Sequence, residues 1–234
     1  MVAGSNPASG AILFKHTETF CVMKKTSLLF DLDGTLIDGT RAILDSFEAA
    51  LQGSSCFDAQ KICAMIGYPL EVMFENLGFR GEQIQNCLDK YRQHYEKVYL
   101  TQTTLLPSVK EALNLASSFA DLAVVTTKGS FFSKSTLQHL GILNLFSVVV
   151  GKDDVSEAKP SPEPILKALK LLNKGKENAF MIGDTSLDIK AAFNAGISCV
   201  ALSCGYESVE SLKTHGVIIK ENAYEAVSYI KSIC

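Results

Sequence analysis

Ser27-Leu28-Leu29-Phe30-Asp31-Leu32-Asp33-Gly34-Thr35 is the stretch that decides the fold. A short apolar run stops at two acids, a glycine and a threonine. An apolar run of this length, closed by turn residues, predicts a strand buried on both faces and then a tight loop. Two carboxylates directly after a buried strand sit at the strand's carboxyl end. In open α/β sheets that edge is where ligands bind.

Downstream of Leu106-Pro107 the pattern alternates. Helices are expected over about 108–118, 131–140, 163–173, 186–195 and 222–231. Strands are expected at Leu122 to Val125, Phe146 to Val150, Ala179 to Ile182, Ser198 to Leu202 and Val217 to Ile219. Such alternation predicts an α/β fold, a Rossmann-like parallel sheet covered by helices on both faces. Between Arg41 and Leu100 the period changes. Ile43, Leu44, Phe47 and Leu51, then Val72, Met73 and Leu77, then Ile84, Leu88, Tyr91 and Tyr95 recur three or four apart, with no buried strand among them. The expected division is therefore a core of residues 23–37 and 107–234 with an all-helical insert at 38–106. The stripe Tyr91, Tyr95, Tyr99 is expected to pack inside that insert.

Polar residues at the strand ends define a candidate site. Asp31 and Asp33 follow the first strand, Thr126 and Thr127 the second, Lys159 the loop after the third, and Gly183, Asp184 and Asp188 the fourth. This set suits phosphoryl transfer to a carboxylate. Asp31 is the candidate nucleophile. Two anions repel, so a cation must lie between them. Asp31 and Asp184 are hard oxygen ligands suited to Mg2+, with Asp188 holding a metal-bound water. Thr126 and Lys159 are candidate donors to the phosphoryl oxygens. Asp33, two residues past the nucleophile, is the candidate general acid and base, and Gly34 allows the tight turn. Thr127, Arg41 at the base of the insert and the Gly67-Tyr68-Pro69 loop are further candidates for binding substrate.

These pieces resemble the haloacid dehalogenase superfamily, and within it phosphoglycolate phosphatases. The resemblance is carried by Asp31-Leu32-Asp33-Gly34-Thr35, by Val124-Val125-Thr126, by Lys159-Pro160-Ser161-Pro162 and by Gly183-Asp184-Thr185-Ser186-Leu187-Asp188. It covers about residues 23–231, and four motifs in order are far more specific than one. The resemblance implies a Mg2+-dependent phosphatase acting on a small phosphorylated metabolite. It implies the backbone carbonyl of Asp33 as a further metal ligand, and a mobile helical cap over the site. Thr127 stands where many members carry Asn. Phosphoglycolate is the first candidate substrate; a pyrophosphatase, a nucleotidase and a phosphosugar mutase share the scaffold. Mutase relatives often carry a His near the position of Ile43. A non-enzymatic phosphate-binding or partner-binding relative is the remaining alternative.

Composition narrows the partners. The 234 residues carry a net charge of −3 and an apolar fraction of 47%, which gives no basic footprint for nucleic acid and enough apolar surface for a core. No apolar run reaches the roughly 18 residues of a membrane span. Seven cysteines without a C-x-x-C pair, and four scattered histidines, predict neither a disulfide framework nor a zinc site. A cytoplasmic monomer or homodimer is expected. Residues 1–22 lack any helical or strand period, and Met23 opens the patterned chain. Gly4-Ser5-Asn6-Pro7 is what the T-arm of a transfer RNA gene encodes in one frame, so 1–22 are expected to be a non-native or disordered extension.

Overall fold

The computed structural model describes Met1 and residues 26–52 and 55–234. The expectation for residues 1–22 thus lies, Met1 apart, outside the described residues.

Six parallel strands form the sheet: β1 (Thr26–Phe30), β4 (Ala120–Val125), β5 (Val148–Val150), β6 (Ala179–Gly183), β7 (Ser198–Leu202) and β8 (Ile218–Lys220). Their spatial order is β5-β4-β1-β6-β7-β8. All five residues of β1 are buried, as a central strand requires. Alternation then sorts its side chains. Leu28 and Phe30 join one apolar cluster with Val124, Ile182 and Val200; Leu29 joins another with Ala123, Val125 and Met181. Helices α5 (Val109–Ser117) and α10 (Ala223–Ile233) cover the first face, and α7 (Glu163–Leu172) and α8 (Ser186–Ala195) the second. Fully burying a Leu or Phe contributes about 1.5–3 kcal/mol. Leu28, Leu29 and Phe30 are all at 0% exposure, so this strand anchors both layers.

The chain enters at the sheet's centre, builds outward through β4 and β5, then returns to β6 on the other side of β1. Strand order therefore reverses at β1. The loops leaving β4, β1 and β6 diverge there, which opens a crevice at the carboxyl edge.

Helices α1 (Thr40–Ala50), α2 (Ala59–Cys63), α3 (Leu70–Asn76) and α4 (Glu82–Val98) stand beyond that edge. They share their own apolar cluster, in which Phe47, Phe74 and Tyr91 meet at 4.8–6.4 Å between ring centroids. A two-stranded antiparallel ribbon, β2 (Ile37–Asp38) with β3 (Thr104–Leu105), joins this layer to the sheet. Sequence period does not reveal two-residue strands. It also missed α2 and α9 (Val209–Lys213), each only five residues long. The last strand lies one residue later than the apolar run suggested. Helix α6 (Ser130–His139) follows the loop after β4 and carries Phe132 against Tyr95 and Tyr99. No described helix is long and apolar enough to cross a membrane.

Candidate active site

Two strand ends at the switch point, those of β1 and β6, bring the acids together. The backbone N–H of Asp31 donates to the carbonyl of Ile182 at 2.9 Å, extending the ladder by one residue and setting Asp31 beside the end of β6. Asp184 leaves β6 at once. Asp188 lies in the first turn of α8, which Thr185 caps at its start and which ends where Gly196 adopts φ +75°. Carboxylate oxygens of Asp31, Asp184 and Asp188 all lie within 4.8 Å of one another, and all three residues are buried.

Each acid is held. Asp184 accepts from the Thr35 hydroxyl at 2.8 Å and from the Tyr206 backbone N–H at 2.9 Å. Asp188 accepts from the backbone N–H and hydroxyl of Thr185, at 3.1 and 2.8 Å, with one oxygen. Its other oxygen faces the Lys159 ammonium at 2.5 Å. Lys159 also reaches Asp31 at 2.8 Å, and its side chain is 2% exposed. Glycine is needed around Asp184. A Cβ on Gly34, whose φ is +80°, would fall 2.3 Å from Asp184 Oδ2, and one on Gly205 would fall 2.1 Å from it.

Burial dominates the electrostatics. It raises the Asp31 carboxyl to about 7, opposed by Lys159 and reinforced by Asp188. It raises Asp184 well above the usual carboxylate range, with Asp31 and Asp188 adding to the effect. Burial works against the charge of Lys159, yet Asp188 and Asp31 hold its ammonium above the ordinary lysine value. Of the three buried carboxylates, Asp31 and Asp188 share one buried ammonium, while Asp184 is held by neutral donors. If all ionise, two negative charges remain uncompensated. Such a set suits a divalent cation bound through hard oxygen donors.

Thr126 is buried, and its hydroxyl accepts from the Lys128 backbone N–H at 3.2 Å. Asp33 stands at the rim, facing the Lys128 ammonium at 2.9 Å. Asp31, Asp33, Thr126, Lys159, Asp184 and Asp188 thus occupy one edge, with both oxygens of Asp188 already engaged by the protein. Thr127 turns elsewhere: its hydroxyl donates to the Gly67 carbonyl at 2.8 Å, tying the core loop to the helical layer. Gly67 adopts φ +108° there and lines the cavity above the site. Arg41 is not drawn in. Its side chain is 78% exposed, with Asp45 its nearest acid at 3.8 Å.

The cavity encloses about 370 Å3 between the helical layer and the core loops. Asp33, Ile43, Tyr91, Tyr95, Lys128 and Phe132 lie in its wall. The tyrosine stripe does pack inside the helical layer, with ring centroids 5.5 Å apart, but Tyr95 also turns its hydroxyl to Lys128 at 2.7 Å. Lys128, Thr35, Tyr95 and Tyr206 were not singled out by sequence reasoning. Thr35 closes the first motif, where it was given no role of its own, and Lys128 directly follows the candidate Thr127; Tyr206 gives no signal in the pattern.

Comparison with known proteins places this geometry. The family model described as haloacid dehalogenase-like hydrolase matches residues 28–202. A Caldanaerobacter subterraneus protein, provisionally named pyrophosphatase PpaX, is 35% identical over 82% of this chain and 87% of its own. A phosphoglycolate phosphatase of Colwellia psychrerythraea is 32% identical over 83% of this chain and 92% of its own. Among solved structures, a haloacid dehalogenase-like family hydrolase from Streptococcus pneumoniae superposes with a TM-score of 0.80 at 28% identity, covering 88% of this chain and 98% of that one. With a family model that spans β1 to β7 and relatives aligned along four-fifths of its length, this chain belongs to the haloacid dehalogenase-like hydrolase family.

Proposed function

We propose that this chain is a Mg2+-dependent phosphatase that hydrolyses a small phosphate monoester through an aspartyl-phosphate on Asp31. The observation that carries it is the buried trio of carboxylates, two of which share a single ammonium. Asp31, Asp184 and the Asp33 carbonyl would hold Mg2+, with Asp188 acting through a bound water. Bound there, the ion neutralises phosphate charge and so permits one anion to approach another.

The residues of the chain supply the rest. An Asp31 oxygen forms a bond to phosphorus as the ester P–O bond breaks. The Thr126 hydroxyl and Lys159 ammonium donate to the phosphoryl oxygens. Asp33 gives its proton to the departing oxygen, then takes one from the water that attacks the acyl phosphate. That second attack releases inorganic phosphate and restores the Asp31 carboxylate. The layer of α1 to α4 acts as a cap domain that keeps bulk water out during the first step.

Phosphoglycolate is the favoured substrate, in line with the Colwellia relative's name. Pyrophosphate is a second reading, favoured by the name of the Caldanaerobacter relative. The test is release of inorganic phosphate from both compounds with Mg2+ and with excess EDTA. Release that depends on Mg2+ is expected; release that EDTA leaves unchanged would remove the metal from the account. The role of Asp33 has its own signature. Asp33→Asn is expected to lower steady-state turnover by about 10²–10⁴-fold while acid-quenched protein still carries label from a 32P-substrate. Normal turnover in that variant would end the acid–base assignment.

A further inference from the structure

Lys128 has no part in the scheme above, yet its position is unusual. It follows Thr127 after β4, and its side chain is only 12% exposed. Its ammonium lies 2.9 Å from Asp33 Oδ1 and 2.7 Å from the Tyr95 hydroxyl. An ammonium has three N–H donors. Two are engaged by these partners. Lys128 also lines the cavity that opens beyond Asp33, beside the apolar Ile43 and Phe132. Arg92 and Lys152 line the same cavity, but their acidic partners are Asp89 and Glu71. Lys128 is the cation paired with Asp33.

We propose that Lys128 is a specificity-determining residue that selects phosphate esters whose leaving group carries a second anion, bound by its ammonium in the cavity. The inference rests on the phosphatase reading above and adds to it the substrate class. If Asp33 protonates the leaving oxygen, that oxygen comes within about 2.7 Å of an Asp33 carboxylate oxygen. Lys128 Nζ then lies within roughly 6 Å of the leaving oxygen, one hydrogen bond further on. An anion one bond or one carbon beyond the leaving oxygen reaches about 2.5–4 Å toward it, which leaves a hydrogen-bonding separation. The carboxylate of a phosphorylated 2-hydroxy acid and the second phosphate of pyrophosphate both meet this condition. A neutral alcohol of the same length leaves the ammonium without that partner.

The experiment measures kcat/KM with Mg2+ for phosphoglycolate, pyrophosphate and the neutral ethylene glycol monophosphate, in the unaltered protein and in Lys128→Met. The unaltered protein is expected to favour at least one anionic leaving group over the neutral one by about 10–100-fold, the range for a hydrogen bond to a charged group. Whichever of the carboxylate and phosphate arms is favoured identifies the anion. Lys128→Met breaks the pair with Asp33 and so is expected to slow all three compounds, but to lower the favoured anionic arm by about 10–100-fold more than the neutral ester, erasing the preference between them. Equal losses on all three compounds would show Lys128 acting only through Asp33, and would overturn the proposal. So would an unchanged preference, or none in the unaltered protein. Lys128→Gln gives the same comparison if the apolar variant fails to fold. Absence of Mg2+-dependent release from any of the three, and from p-nitrophenyl phosphate, would instead remove the underlying phosphatase reading.

Discussion

Asp31→Asn is expected to lower kcat by roughly 10⁴-fold or more, the scale seen when a covalent nucleophile is removed. The same substitution is expected to raise the melting temperature of metal-free protein at pH 8. Both results come from one cause. Asp31 is buried beside Asp184 and Asp188 and shares Lys159 with Asp188. Burial lifts its carboxyl from 3.8 to about 7. The folded chain therefore holds that proton more tightly than the unfolded chain does. The stability this gives is full below about pH 4 and is lost as pH rises to about 7. At pH 8 the folded protein bears the whole cost of a buried charge that asparagine lacks. Lys159 keeps Asp188 at 2.5 Å in the variant, so no ammonium is stranded. For a chain of this size, each 1 kcal/mol recovered raises the midpoint by about 2–4 °C. The gain should shrink steeply toward pH 4 and vanish below the unfolded value of 3.8, where Asp31 is protonated in both states. Thermal melts of metal-free protein at both pH values, beside phosphate release with Mg2+, test the account. Turnover within tenfold of the unaltered protein would remove the nucleophile. Equal melting at pH 8 would remove the electrostatic argument.

The sheet was legible because its signals are local. Leu28-Leu29-Phe30 followed by Asp31 predicts both a buried strand and the point where it ends, and β1 stops at Phe30. Alternating strands and helices imply a parallel sheet, and Asp31, Thr126, Lys159 and Asp184 then fall on one edge through topology alone. The apolar period predicts helix α8 over about 186–195, and it spans Ser186–Ala195, with Thr185 and Asp188 capping its start and Gly196 its end. What escaped depends on how side chains turn once elements pack. Arg41 sits at the base of the helical layer, as its position predicts, but the orientation of α1 sends its side chain outward to 78% exposure. Tyr206 reaches Asp184 through its backbone N–H, 22 residues along the chain, and no spacing rule connects the two. Thr127 meets Gly67 only because the helical layer closes onto the core loops. The ribbon of β2 and β3 is too short for a period of two to register.

Lys159→Met is expected to act on stability in the opposite direction. Lys159 is the ammonium that faces Asp31 and Asp188, and its side chain is 2% exposed. Methionine fills much of the same volume but leaves three buried carboxylates without a cation in the metal-free protein. Breaking a buried pair by removing one partner costs about 3–5 kcal/mol. At about 2–4 °C per kcal/mol, the midpoint should fall by roughly 10 °C at pH 8. Acid relieves the penalty, because protonated carboxyls need no counterion; the deficit should shrink toward pH 4. Added Mg2+ should also recover part of the loss, since binding to the folded state stabilises it in proportion to RT ln(1 + [Mg2+]/Kd). Catalysis would still suffer by about 10²–10³-fold, the effect of deleting one preorganised donor to the reacting group. A midpoint that neither falls at pH 8 nor responds to acid would show that the three acids are not ionised together. The two substitutions change the local charge by one unit in opposite senses and both damage turnover. If the pocket is a cluster of anions held for a cation, neutralising an acid stabilises the empty protein and neutralising the lysine destabilises it. A pocket of ordinary structural hydrogen bonds would lose stability in both cases, so the signs of the two shifts distinguish the two accounts without reference to activity.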